Sequence, residues 1–458
     1  MKQKAEQELM EFPSSNDELD KSFPDINLTR IAFGSCHSRG AFDKHFATEL
    51  TINNTIWDTI AEVVQPQTFL WTGDAVYPPM KVKGDYPLDV LKNEFHQMKT
   101  NETLGYASFI RNKMLEAGVH GTWDDHDYGG NDRGDELRGK EERRDAYLDF
   151  LDVKRSSNNR QGVYNSVEFG KGLNKAKIIF LDTRYKRSKH CIPSVGAHPY
   201  VPHGAIFACL TRWITAGFNL CKNDGGVLGE EQWSWFEKQL SESSASMHII
   251  VSSIQVLTTN PVVESFGHFP KERDRLLKMI NTVPGLLLLS GDVHHAEISS
   301  TNINRKDSSA NEGAIIEVTS SGMTHSCNGG WYGRMCQPIL NHFGKHRFLG
   351  GNVASNTSPS YFTQKNFGSI SIDWKEREFH VDVHNELGDI VLHTGPLQMN
   401  VAANLNASEL AAVEKCIDGH FLVHLQNNMI VVAGVILIGL ISQHLFMKRR
   451  PRKFIKRD

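Results

Sequence analysis

Four short stretches gather side chains that can hold metal ions or move protons: Cys36-His37, Asp74 with Tyr77, Asp124-Asp125-His126-Asp127, and Asp292-Val293-His294-His295. Singly, each has an ordinary explanation. A Gly-Asp pair after an apolar run is usually a turn, and a tyrosine three residues on is more often a part-buried aromatic than a ligand. Asp-Asp-His-Asp is harder to dismiss, because three carboxylates and an imidazole within four residues repel unless a cation or solvent compensates them. Together the four fit one chemistry. Hydrolysis of a phosphoester at neutral pH needs a hydroxide and a way to spread the charge of the transferring phosphoryl group. Two cations about 3.5–4 Å apart supply both. One carboxylate has to bridge them, which Asp74 can do. A phenolate suits trivalent iron, carboxylates and amide oxygens suit calcium or manganese, and a neighbouring histidine can protonate the leaving oxygen.

Such residues work only if the fold brings them together, and the sequence supplies the elements. The stretches LTRIAFGSC, TFLWTGD, VHGTWDDHD, KIIFLDTR, MHIIVSSI and GLLLLSGDVHH are apolar runs, several of them ending in Gly-Asp or Asp-Asp. Runs of this kind predict central strands buried on both faces. Helical spacing intervenes at Ile56, Ile60, Val63 and Val64, and again at Trp233, Phe236 and Leu240. Strands alternating with helices predict an α/β layered domain, whose ligands bind at the carboxyl ends of the strands. The first 27 residues are polar and predict disorder, and residues 186–226, with scattered Cys, Pro, His and Gly, an insertion loop over the site.

Composition narrows the class. With 40% hydrophobic and 22% charged residues the chain is globular rather than disordered. Its net charge of −3 hides an asymmetry, since residues 448–458 hold seven Lys or Arg against one Asp. The remainder is acidic, so no nucleic-acid-binding surface is expected. Seven cysteines are too few for a disulfide scaffold. Six of them, Cys36 aside, could pair in an oxidising compartment or equally well remain buried thiols.

Met429–Met447 is the only long apolar run, and as a helix its nineteen residues reach roughly 28 Å, close to a bilayer's hydrocarbon thickness. The basic tail after it predicts a single-pass helix with a cytosolic C-terminus and a catalytic body that is lumenal or extracellular. Residues 396–428 would be the linker. Sequons at Asn27, Asn53, Asn101, Asn356 and Asn406 are compatible with that orientation. The first 21 residues hold no apolar h-region, so the orientation needs an upstream targeting segment or an internal route of insertion; a tail-anchored body in the cytosol is the other arrangement.

The motifs FGSC, WTGDAVY, TWDDHD, FLDTRY and LLSGDVHHAE, in that order over roughly residues 28–395, resemble the alkaline phosphatase D family, the PhoD-like metallophosphatases. The resemblance implies a four-layer α/β/β/α metallophosphoesterase sandwich, phosphomonoesterase or phosphodiesterase activity, and an iron site supported by calcium. By position it implies Cys36 as thiolate ligand of iron, Asp74 as bridge, Tyr77 as phenolate, Asp292 as a further iron ligand and His294 near the second ion. Asp125 and Asn131 fall on the calcium side, and His126 where related phosphatases place their catalytic histidine. Arg184 is placed to meet the phosphate bidentately, or else to pair with Asp182 at the strand end. The wider superfamily has Asp-x-His where this chain has Ser35-Cys36-His37, so the likeness is to the PhoD-like subgroup. A membrane-anchored binding protein on the same fold would be expected to have lost ligands, and all are present. A glycosidase using two carboxylates would need no metal.

Overall fold

The computed structural model describes residues 20–39, 55–79, 82, 84–153, 160–190, 208–214, 225–258, 260–301, 313–329, 333–343 and 360–414. They form a mixed α/β fold built on two sheets. The strands are β1 (Lys21–Phe23), β2 (Arg30–Gly34), β3 (Thr68–Thr72), β4 (Val119–Thr122), β5 (Asn165–Phe169), β6 (Ala176–Phe180), β7 (Met247–Val251) and β8 (Leu286–Ser290). They continue with β9 (Ala296–Ser300), β10 (Ile316–Ser320), β11 (Tyr361–Phe362), β12 (Asn366–Asp373), β13 (Glu378–Asn385), β14 (Ile390–His393) and β15 (Leu397–Gln398). One sheet has the order β14-β13-β12-β2-β3-β4, with β15 beside β13; the other has the order β1-β5-β6-β7-β8-β10-β9-β11. Pairing is parallel through β2-β3-β4 and through β6-β7-β8.

Side-chain alternation explains the apolar runs. Ile31 and Phe33 of β2, Leu70 of β3, Ile249 and Val251 of β7 and Leu287 and Leu289 of β8 fill the core between the sheets. Their neighbours point the other way. Ala32, Phe69 and Trp71 meet helices on one outer face, and Ile250 and Leu288 meet helices on the other. Because both faces are buried, polar alternation is missing from these strands.

Helices α1 (Ile56–Val63), α2 (Leu88–Thr100), α3 (Tyr106–Ile110), the single turn α4 (Asp125–Tyr128) and α5 (Lys140–Phe150) lie on the side of the first sheet. Thr55 and Asp58 form a reciprocal cap that starts α1. Its inner face is Trp57, Ile60 and the following Val64, one residue round from the expected face, and Val63 is 48% exposed. On the far side α6 (Glu230–Ser241) buries Trp233 and Phe236 beside α7 (Pro270–Ile280). Helix α8 (Gly333–His342) follows β10, and α9 (Ala407–Glu414) closes the described chain.

Two expected boundaries shift. Residues 20–27, expected within a disordered segment, include β1, which pairs with β5. The Asp20 carboxylate anchors it by accepting from Arg160 (3.0 Å), the Ser166 amide (2.8 Å) and the Trp235 indole (3.1 Å). Residues 396–414, expected as linker, contribute β15 and α9, whose Leu410 and Val413 are buried against α7. Polar composition concealed the first, and brevity the second. Within 186–226, residues 208–214 are helical. No helix among the described residues is long and apolar enough to cross a membrane; the run 429–447 and the tail 448–458 lie outside them.

Candidate metal centre

The carboxyl ends of β2, β3, β4 and β8 meet at one rim, where the loops after them carry Cys36, Asp74, Asp124-Asp125 and Asp292. Glycine makes the approach possible. A Cβ on Gly73 (φ +108°) would lie 2.6 Å from the Asp124 Cβ, and one on Gly291 would lie 2.6 Å from the Thr72 carbonyl. The chain then turns sharply. Cys36 (φ 61°), Asp74 (50°), Asp292 (72°) and His294 (57°) are all left-handed. Such backbone costs each non-glycine residue roughly 1–2 kcal/mol, and strain of this kind clusters at functional sites.

Ligand atoms of Asp74, Asp124, Asp125 and Asp292 lie within 4.8 Å of one another, as do those of Asp74, Asp125 and His126. Asp74 is the hub. Its Oδ2 accepts from the Tyr77 hydroxyl at 2.5 Å and lies 3.8 Å from the Cys36 sulfur, while its Oδ1 accepts from the His126 amide at 3.2 Å. His294 lies on the same rim, its ring 6.4 Å from Tyr77. Asn131 is half-buried in the loop after α4, one residue before Asp132, whose amide donates to Asp125 at 2.7 Å.

Compensation by arginine divides the carboxylates into two sets. Arg184 is fully buried and grips Asp124 at 2.5 Å and Glu264 at 3.0 Å. Arg187 takes the other oxygen of Glu264 at 3.0 Å, and Arg212, from the helical segment 208–214, takes Asp132 at 2.7 Å. Asp74, Asp125 and Asp292 have no ion pair with Lys or Arg among the described residues. Burial, and then Asp125, holds the Asp74 carboxyl well above its usual range; burial, and then Asp124, does the same to Asp292. Asp124 is pushed up to about 7 by burial, which outweighs Arg184. For Glu264 the arginines win, holding it well below the carboxylate range against the cost of burial. The cluster Asp125, Asp132 and Glu264 also lies within 4.8 Å, but two of its members already have guanidinium partners. A cation therefore fits best among Asp74, Asp125 and Asp292. Buried atoms without hydrogen-bond partners point the same way, among them Asp125 Oδ1, Asp124 Oδ2 and His294 Nδ1.

The family profile for PhoD-like phosphatases matches residues 52–383. The chain belongs to the PhoD-like phosphatase family. Among solved structures it is similar to that of PhoD, at 13% identity and a TM-score of 0.52, covering 88% of this chain and 79% of that one. Weaker likenesses are to GAP50, the anchor in the inner membrane complex of Plasmodium (13% identity, TM-score 0.41, 86% and 95% covered), and to a 5'-nucleotidase precursor from Thermus thermophilus (11%, 0.30, 84% and 58%). No curated protein matches. As in a metal-dependent phosphoesterase family, this PhoD-like chain has an acidic cluster able to bind metal.

One expected role, that of Arg184, looks different in place, and two residues of the ligand-type stretches, Asp127 and His37, have structural partners. The Arg184 guanidinium reaches neither Asp182 nor open space, going instead to Asp124 and Glu264. Asp182 accepts the Arg184 and Tyr185 amides at 2.9 Å, and the guanidinium is sunk beneath the site with no exposure. Asp127 is structural, accepting the amides of Ala75 (3.1 Å) and Val76 (3.0 Å). His37 accepts from the Trp57 indole at 3.1 Å in the core. Sequence reasoning missed Glu264, Asp132, Ser321 and His325. Nothing around Glu264 in NPVVESF forms a motif. His325 follows β10 by five residues, but that strand (IEVTS) has only two apolar residues and left no apolar run to mark it; the His325 ring lies 4.7 Å from both Tyr77 and His294.

Proposed function

We propose that this chain hydrolyses phosphate esters at a two-cation site. Cys36, Asp74, Tyr77 and Asp292 would hold the first ion, with Asp74 shared and Asp125, Asn131 and His294 serving the second. The observation that carries the reading is the convergence of Asp74, Asp125 and Asp292 with no Lys or Arg ion-pair partner among the described residues. Thiolate and phenolate beside carboxylates suit iron(III), and the oxygen donors on the other side suit calcium. Bound there, the ions supply an acidified water and positive charge for the transferring phosphoryl group.

The protein's own groups orient and supply protons. The Tyr86 hydroxyl lies 2.6 Å from His126 Nδ1. Burial and nearby carboxylates hold that phenol well above its usual pKa, so it is the donor. The neutral imidazole then carries its proton on Nε2, 3.8 Å from Asp125, where it can hydrogen-bond the leaving oxygen; protonated to imidazolium, it can give up that proton and return to the neutral form. Arg184 acts beneath the site by fixing Asp124 and Glu264. The substrate is a phosphate ester.

Metal analysis of the purified protein, alongside turnover of a chromogenic monoester and diester with and without chelator, tests the reading. Stoichiometric metal with chelator-sensitive turnover supports it. Metal without turnover would favour a silent binding protein, and turnover without metal would remove the two-cation site. We further propose, from the sequence of residues 429–458, a single-pass tether with a cytosolic tail and a lumenal or extracellular body. Protease protection on intact vesicles decides this, and an N-terminal epitope digested while the C-terminal one is shielded would reverse the orientation.

A further inference from the structure

Ser321 sits just beyond β10, fully buried, and its hydroxyl joins two of the residues placed at the metal centre. The oxygen lies 3.1 Å from the Cys36 sulfur and accepts from the His294 backbone amide at 2.9 Å. The loops carrying these groups are laced together. The Met323 amide donates to the Ser35 carbonyl at 3.1 Å, the Ser38 amide to the Thr324 hydroxyl at 2.7 Å, and the Cys327 amide to the His294 carbonyl at 2.6 Å. The Cys327–Cys336 disulfide ties the same loop to α8.

Donor roles follow from counting hydrogens. A serine hydroxyl has one hydrogen to give and two lone pairs. The His294 N–H occupies one lone pair, which leaves the hydrogen free to face the sulfur. A cysteine that ligates a metal does so as thiolate and has no proton, so the contact at 3.1 Å then has only one possible donor. The Ser35 hydroxyl donates to the Ser320 carbonyl at 3.3 Å, and against the upward push of burial Ser321 lowers the Cys36 pKa most among the side chains that hydrogen-bond its sulfur.

We infer that Ser321 is the positioning residue of the metal centre, donating a hydrogen bond to the Cys36 thiolate while anchoring the His294 backbone, and so setting the electron density that the sulfur gives the metal. The inference rests on the proposed role of Cys36 as ligand. Hydrogen bonds to a ligating sulfur lower its donor strength, tune the metal and are a recognised lever on potential. Ser321 would thus couple ligands on two loops through one oxygen.

The test uses the full chain in detergent, freed of metal and loaded with Co²⁺ as a spectroscopic probe. The wild type should show a thiolate-to-cobalt charge-transfer band that Cys36→Ser abolishes. Ser321→Ala should move that band to longer wavelength, because the sulfur lone pair rises in energy, and should weaken Co²⁺ binding about 10–100-fold, because the His294 backbone loses its anchor and this outweighs the stronger sulfur donor. Ser321→Thr, which keeps the hydroxyl, should restore the band position. An unmoved band in Ser321→Ala overturns the Ser321 inference and leaves Cys36 as ligand. Absence of the band from the loaded wild type removes Cys36 from the centre, and the inference with it.

Discussion

Replacing Asp74 by Asn should do two opposite things. It removes the carboxylate proposed to be shared by both ions, so metal content should fall to a small fraction of the wild type and turnover nearly vanish. It should also make the metal-free protein more stable. The Asp74 ligand oxygen lies within 4.8 Å of those of Asp124, Asp125 and Asp292. At that separation two ionised carboxylates repel by about 3.5 kcal/mol at an effective dielectric of 20. Proton uptake relieves part of this, since burial and Asp125 already hold Asp74 well above its usual pKa. Asparagine can keep the His126 amide bond, so a net gain of about 1–3 kcal/mol is expected, or roughly 1–3 °C in Tm. The sign depends on pH. A carboxyl with a raised folded-state pKa destabilises the fold increasingly as pH climbs above its unfolded value, so the gain should be absent near pH 4 and grow towards pH 8. The assay is thermal unfolding of chelator-treated wild type and variant across that range, with metal analysis in parallel. A variant that holds full metal and turns over normally, or one that is less stable at pH 8, would refute the reasoning.

Glu264→Gln should be strongly destabilising, by about 3–5 kcal/mol in urea unfolding, because it strips the fully buried Arg184 and Arg187 of their shared counter-charge. A loss below 1 kcal/mol would show that the pairing matters little. The metal-free wild type should lose stability as pH rises from about 4 to 8, because burial raises Asp124 to about 7 and Asp127 to about 8. Metal loading should flatten the part due to Asp124, and a metal-free profile that rises over this window would contradict the assignment. His126→Gln should lower kcat by about 10²–10⁴ while metal content stays, as expected of a proton donor; equal loss of metal would make it a ligand instead.

Much of the sheet was legible because buried parallel strands leave a plain mark. The runs ending at Gly34, Thr72, Thr122, Phe180, Val251 and Ser290 are strands, and ligand-type residues follow four of them. The parts that were missed lack such marks. β1 is three residues long at a sheet edge, and its stability comes from Asp20 reaching groups 140 to 215 residues away. The β12–β13 hairpin spans Asn366–Asp373 and Glu378–Asn385 and carries Ser, His, Asp and Asn between its apolar positions, so it left no apolar run. At the site, residues on strand ends could be named, whereas those chosen by tertiary approach could not. Arg184 stands beside Asp182 in sequence yet spends its guanidinium on Asp124 and Glu264, 60 and 80 positions distant.

That last arrangement explains why the centre is polar in so specific a way. Three arginines neutralise Asp124, Glu264 and Asp132 and leave Asp74, Asp125 and Asp292 without an ion-pair partner of that kind among the described residues. A fold needing only to bury these carboxylates could have supplied a fourth guanidinium or accepted full protonation. The backbone instead adopts left-handed conformations at Cys36, Asp74, Asp292 and His294, all turned towards one rim. Strain at each, together with like charges in a dry site, raises the free energy of the metal-free state by several kcal/mol. One apolar core reaches into the rim itself, since Ala75, Val76, Trp123, Tyr128 and Met323 belong to it. Ion binding at the proposed site would therefore be coupled both to the order of the rim loops and to the packing of that core. A rim of this kind is suited to keep a metal only when the oxygen, sulfur and imidazole donors all close on it.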